Sequence, residues 1–256
     1  MDLKQKLINF LTFIYILIFK IRYDLIIFSH VPQCGGNSIL HIFKFFLGYR
    51  FLNIHRNEID YLMKRPKVLK KRLDGKILIL GHFGIDFVHY IEKLYLKKRI
   101  YYLFNIRDPK HRYLSNYFRN KKLNGLNLDL RKFLIKRKKD HLDNIFIRYL
   151  SGKNIYRTGV TKIDKKLLKI GYQNIKKFDS VVFLESLNAD MYKVLKKLFY
   201  FPILINFMKT HKNKVSNSKF KKISQSEKNI LFDLTKYYLN LYKNLKKKYE
   251  KISRRI

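Results

Sequence analysis

The fold of this chain is decided by the stretch Asp24–Leu47, DLIIFSHVPQCGGNSILHIFKFFL. The apolar run from Leu25 to Phe28 reads as a buried β-strand. A short loop with Gly35 and Gly36 follows it. Apolar residues then recur at Ile39, Leu40, Ile42, Phe43, Phe46 and Leu47, the spacing of a helix that begins near Asn37 or Ser38. Strand, glycine turn and helix start together form an anion site. The glycines let backbone approach a phosphate closely, and the first-turn N–H groups have no intrahelical acceptor and point at it. Asn37 or Ser38 can cap that helix and also present a side-chain donor to the anion.

A second stretch extends this reading. Tyr101–Ile106 is another short apolar run, and Arg107, Asp108, Pro109, Arg112 and Ser115 follow it in YYLFNIRDPKHRYLSNYF. Between the two lies Gly81-His82-Phe83, and further on come NIFIRYLSG from Asn144 and FDSVVFLE from Phe178. In this order the segments resemble the sulfotransferase superfamily, specifically the carbohydrate branch that includes heparan-sulfate 2-O-sulfotransferases and their bacterial relatives. That family has an H-x-P-K-T-G-G-T-S loop, which here reads His30-Val31-Pro32-Gln33-Cys34-Gly35-Gly36-Asn37-Ser38. Its R-D-P-x-x-R-x-x-S-x-Y segment is matched in full from Arg107 to Tyr117, and the resemblance covers Leu25 to Asn217.

The resemblance implies an α/β fold of P-loop NTPase-like, three-layer α/β/α type with a central, mainly parallel sheet. It implies 3′-phosphoadenosine 5′-phosphosulfate as co-substrate, with no metal. Pro32, Gln33, Cys34, Gly35, Gly36, Asn37 and Ser38 would hold the 5′-phosphosulfate, and Arg107 and Ser115 the 3′-phosphate. An Arg at a strand end suits forked phosphate recognition, although a salt bridge with Asp108 is the plainer reading. His82 is the candidate general base, since imidazole titrates near neutrality. His89, Asp86, Glu58 and His30 are rivals.

Three residues depart from the family loop. Gln33 stands where the family has the lysine that supports the leaving oxygen, and Cys34 and Asn37 stand where it has threonines. A glutamine donates a hydrogen bond but brings no charge, which weakens transition-state stabilisation. Either another cation takes over, such as Lys44 or a lysine of the 210–222 segment, or the protein binds the nucleotide and transfers little. We count Gln33 with His82 among the catalytic candidates.

A chain of 256 residues is long enough for one substantial core. The formal charge of +39 calls for an anionic partner. An anionic carbohydrate acceptor, a polysaccharide or glycolipid, meets that requirement together with the sulfonucleotide donor. Nucleic acid fits the charge too, but the basic residues are dispersed and no nucleic-acid motif accompanies them. Cys34 is the lone cysteine, which rules out an internal disulfide, and no His/Cys spacing suggests zinc. No Walker-type glycine-lysine loop is present either, which argues against a standard P-loop kinase.

The first 22 residues read as an apolar helix. Its core, residues 7–19, is too short to span a bilayer but is flanked by Lys4, Lys6, Lys20 and Arg22, so it packs on the domain, contacts a membrane surface or serves as a signal-anchor. Residues 23–256 are expected to form one sulfotransferase-like domain. Strands are expected at Ile77–Leu80 and Val181–Leu184, helices at Ile85–Leu96, His141–Leu150, Thr161–Lys177 and Leu187–Leu198, and a polar basic loop over 210–222. A long amphipathic helix is expected at Gln225–Tyr249. The expected location is the cytoplasm, or the cytoplasmic side of a membrane.

Overall fold

A computed structural model describes residues 10–11, 21–48, 50–123, 125, 127–139, 144–152, 163–199 and 223–253. The basic 210–222 segment and, of residues 7–19, all but Phe10 and Leu11 lie outside them. The strands are β1 (Leu25–Ser29), β2 (Phe51–Ile54), β3 (Leu78–Gly81), β4 (Ile100–Ile106) and β5 (Ser180–Phe183). The helices used below are α1 (Gly36–Leu47), α2 (Ile59–Lys64), α3 (Pro66–Leu73), α4 (Ile85–Leu94), α5 (Pro109–Leu123), α6 (Leu130–Lys139), α7 (Ile145–Ser151), α8 (Lys165–Asn174), α9 (Leu187–Leu198) and α10 (Gln225–Ser253).

The strands form one five-stranded sheet in the order β2-β3-β1-β4-β5. β1 pairs in parallel with β3 and β4, and β2 in parallel with β3. Parallel neighbours need crossover connections, and these residues supply them as helices. This is the α/β class with a mainly parallel central sheet that the sequence suggested. β1 is buried at all five positions, which is why it reads as a continuous apolar run rather than an alternating one.

The chain divides into two compact units, Met1–Asn105 with Lys177–His211, and Ile106–Lys176 with Lys212–Ile256. In the first, α1 and α9 cover one face of the sheet, packing Ile42, Phe43, Phe46, Met191 and Leu195 over Ile26, Phe28, Leu80 and Leu103. Each such fully buried side chain contributes roughly 1.5–3 kcal/mol, so this apolar face fixes the placement of α1. The next residues along the strands, Ile27 and Ile79, are fully buried on the opposite side, and α4 lies against β1. In the second unit, α10 packs on α5 and α6 through Leu231, Leu234, Tyr113, Tyr117 and Phe133. The strand order reverses at β1, and open parallel sheets bind ligands beyond the carboxyl end of their strands at such a point.

Candidate anion-binding and catalytic site

Beyond β1 the chain makes a tight turn. The Cys34 amide donates to the Val31 carbonyl at 3.3 Å, with Pro32 and Gln33 as the central residues. Gln33 has φ 68°. Proline followed by a residue of positive φ is the pattern of a type II turn, which ordinarily places glycine or asparagine where Gln33 stands. Gly35, with φ 83°, then turns the backbone into α1.

One residue that the sequence reading did not single out holds this turn. Asn105, fully buried near the end of β4, accepts from the Val31 amide at 2.9 Å and donates through Nδ2 to the Cys34 carbonyl at 2.7 Å. A single amide therefore satisfies both ends of the turn, each of which would cost about 1–3 kcal/mol if buried without a partner. The signal lay in YYLFNI: an asparagine inside an apolar strand must find polar partners when it is buried.

α1 starts bare. Its cap residue is Gly35, no side chain caps it, and its first turn holds no carboxylate. The positive end of the helix dipole is therefore left to whatever anion approaches. The site closes in on both glycines. A Cβ on Gly36 would stand 2.5 Å from His30 Nδ1, and one on Gly35 would overlap Leu184, which follows β5.

His82 follows β3, with its ring centroid 4.0 Å from that of His30. Its Nδ1 lies 3.0 Å from the His30 carbonyl. A carbonyl only accepts, so Nδ1 carries the proton and the neutral ring directs its lone pair from Nε2. This is the tautomer a general base requires.

The rivals are differently engaged. His89 Nε2 lies 2.8 Å from Lys177 Nζ, which donates to it, and both line a cavity of about 290 Å³ with Val88, Glu92, Tyr102 and Phe178. Burial and the Lys177 charge push His89 down. Asp86 is raised by burial. Glu58 takes the His55 amide and the Arg72 guanidinium, each at 2.7 Å. Burial raises its carboxyl, but these partners together outweigh burial and hold it low. Glu58 is thus a cap and an ion-pair partner.

His30 is 8% exposed, and its Nδ1 makes no hydrogen bond. Burial first, and His82 second, depress it to about 3. The unfolded chain therefore binds a proton that the fold refuses between about pH 6.5 and 3. The stabilisation is complete above that window and is lost as pH falls through it, at up to about 1.4 kcal/mol per pH unit. Urea midpoints measured from pH 7 to pH 4 should fall steeply in the wild type and less steeply in His30→Asn.

Lys44 is not the substitute for the missing lysine. It sits in the last turn of α1 with its Nζ 5.2 Å from the centre of the Phe51 ring. Eight residues separate it from Gly36, about 12 Å along the helix. The other expected source of charge, the 210–222 segment, lies outside the described residues.

Arg107 and Ser115 belong to the second unit. Tyr238 of α10 grips the Arg107 backbone from both sides, accepting from its amide at 3.2 Å and donating to its carbonyl. Tyr238 is itself fixed by its amide on Asn144 Oδ1 at 3.1 Å and by stacking on Phe146 at 3.9 Å. Asp108 accepts the His111 amide at 3.0 Å and so caps α5. Ser115 is half-buried on α5, about two turns from its start.

Among the described residues no group of three or more His, Cys, Asp or Glu could hold a metal ion, and no helix is long and apolar enough to cross a membrane.

No protein-family model matches the chain, and no curated protein does. Solved structures to which the chain is similar include two sulfotransferases. Mouse sulfotransferase SULT7A1 complexed with PAP is 16% identical, with a TM-score of 0.42 over 80% of this chain; the chain spans 64% of that protein's length. A sulfotransferase from Alicyclobacillus acidocaldarius is 12% identical, with a TM-score of 0.45 over 82% of this chain and 94% of its own.

Proposed function

We propose that the protein is a sulfotransferase, moving a sulfuryl group from 3′-phosphoadenosine 5′-phosphosulfate to a hydroxyl of an anionic carbohydrate. The observation that carries this reading is the pairing of a bare helix start behind a tight glycine turn with His82 held as the Nδ1–H tautomer. The backbone N–H groups from Gly35 to Asn37 and the Ser38 hydroxyl receive the 5′-phosphosulfate. Arg107 and Ser115 take the 3′-phosphate, as the sequence resemblance implies. His82 Nε2 accepts the proton of the acceptor hydroxyl as its oxygen bonds to sulfur. The bond from sulfur to the bridging oxygen breaks, and 3′-phosphoadenosine 5′-phosphate leaves with that oxygen, to which Gln33 donates a hydrogen bond. The formal charge of +39 supports an anionic acceptor such as a uronic-acid polymer. Contact with a membrane surface through residues 7–19 belongs to the same proposal.

Gln33 favours one other reading, a relative that binds the nucleotide and transfers little or nothing. Calorimetric titration with 3′-phosphoadenosine 5′-phosphate at moderate salt tests what the two readings share. Micromolar binding is expected in the wild type. Arg107→Ala should weaken it by about 10- to 150-fold, the range for one charge-assisted contact. Absence of binding in the wild type would sink both readings.

A further inference from the structure

Gln33 brings no charge to the loop and Lys44 lies at the wrong end of α1, yet a cation is within reach of the site in latent form. His30 is the residue directly before the turn. It is buried, its Nδ1 has no hydrogen-bond partner, and that atom lies against the first turn of α1, 2.5 Å from where a Gly36 side chain would begin. A buried polar atom facing a bare helix start lacks a partner that an incoming anion would supply.

We propose that His30 takes up a proton when a phosphate-bearing ligand enters the loop, and as imidazolium carries the positive charge that Gln33 does not provide. This rests on the anion-binding reading of the loop. Before the ligand arrives, a hydrogen bond with the Val31 backbone favours a charge at His30, but it is outweighed. Burial disfavours the imidazolium, and His82 at 4.0 Å adds repulsion whenever it is itself charged. Among the described residues, the other surfaces packed on the ring, the Phe28 ring and the first turn of α1 at Gly36, bring no titratable group. A dianion in the loop reverses the balance, because the same low dielectric that penalised the lone charge strengthens its attraction to an opposite one. Nδ1–H⁺ then gains the acceptor it lacked. His30 acts as a counter-charge, not as the base, and its proton comes from solvent. The device also leaves the loop neutral when empty, whereas a permanent lysine would have to be held there uncompensated.

The test is titration of the full chain with 3′-phosphoadenosine 5′-phosphate at pH 7 in PIPES, imidazole and Tris, whose ionisation enthalpies differ. The dependence of observed heat on buffer enthalpy gives the protons taken up per ligand bound. About one is expected in the wild type, close to none in His30→Asn, and about one in His82→Asn. Between pH 7 and 8 the wild-type dissociation constant should rise by up to about tenfold. Saturable binding without proton uptake overturns the proposal, as does uptake that survives His30→Asn. If His30→Asn does not fold, imidazole ¹⁵N spectra of the histidine-labelled wild type decide the matter, with pyrophosphate as the probe. Movement of the His30 nitrogens to imidazolium positions as pyrophosphate saturates supports the proposal, and neutral-ring positions throughout overturn it. Protonation by pyrophosphate in a protein that ignores the nucleotide would keep the counter-charge and discard the sulfonucleotide. Nucleotide binding with a neutral His30 would do the reverse.

Discussion

Replacing His82 by asparagine is expected to lower turnover by about 10²- to 10⁴-fold, the usual worth of a positioned general base. Affinity for 3′-phosphoadenosine 5′-phosphate should stay within about threefold. Asparagine is the informative substitution because its Nδ2 can still donate to the His30 carbonyl, as His82 Nδ1 does at 3.0 Å. What it lacks is a lone pair where Nε2 stood. The packing against His30 and the loop is thereby largely preserved while the proton acceptor is removed. The measurement is transfer of radiolabelled sulfate to an unsulfated uronic-acid polysaccharide under saturating donor. A fall of rate at acid pH is expected in the wild type and should vanish in the variant. A His82→Asn enzyme with unaltered turnover would remove His82 from the chemistry. Asp86, whose carboxyl burial pushes up, would then be the next candidate.

Replacing Gln33 by lysine should raise turnover about 10- to 100-fold. A charge-assisted hydrogen bond is worth roughly 1–1.5 kcal/mol more than a neutral one, and more where charge develops in a water-excluded site. The backbone permits the exchange. Gln33 already occupies φ 68°, an uncommon conformation for any residue with a side chain, and lysine is equally unbranched at Cβ. No new strain is therefore expected, and the ammonium can reach at least as far as the amide it replaces. A rise in kcat with little change in nucleotide affinity would place position 33 at the leaving oxygen. An unchanged or lower kcat would favour the silent-relative reading.

The central parts of the fold were legible because they obey simple periodicities. β1 is a continuous apolar run between polar residues, and α1 repeats its apolar residues at helical spacing. α9 and α10 were equally plain, and Leu187–Leu198 coincided with its reading to the residue. β2 escaped notice because it is four residues at the sheet edge with an exposed Asn53, so neither alternation nor a long apolar run marks it. α2 and α3 escaped for a related reason. They are six and eight residues long, and each buries only two side chains. Strand β5 ends at Phe183, and Leu184 turns away to rest against Gly35.

In the site, residue types were readable but partnerships were not. His82 announced itself beside Gly81. Its tautomer depends on a carbonyl 52 positions earlier in the chain. Asn105 and Tyr238 each looked like part of an apolar face, and each holds a candidate binding segment by its backbone. Sequence shows which side chains can do chemistry. It shows poorly which ones shape a loop from a distance, because that role needs only an amide or a hydroxyl arriving at the right place.

The order of strands also governs how the site comes into being during synthesis. β1 leaves the ribosome first, yet its two neighbours begin only at Leu78 and Ile100. The turn at Val31–Cys34 cannot close on its clamp until Asn105 has emerged, and Gly35 has no Leu184 to rest against until still later. Parallel pairing across such separations is slow to close, since each step loses chain entropy before it gains contacts. A nascent chain halted before Asn105 therefore carries the complete glycine sequence without the side chain that holds its turn.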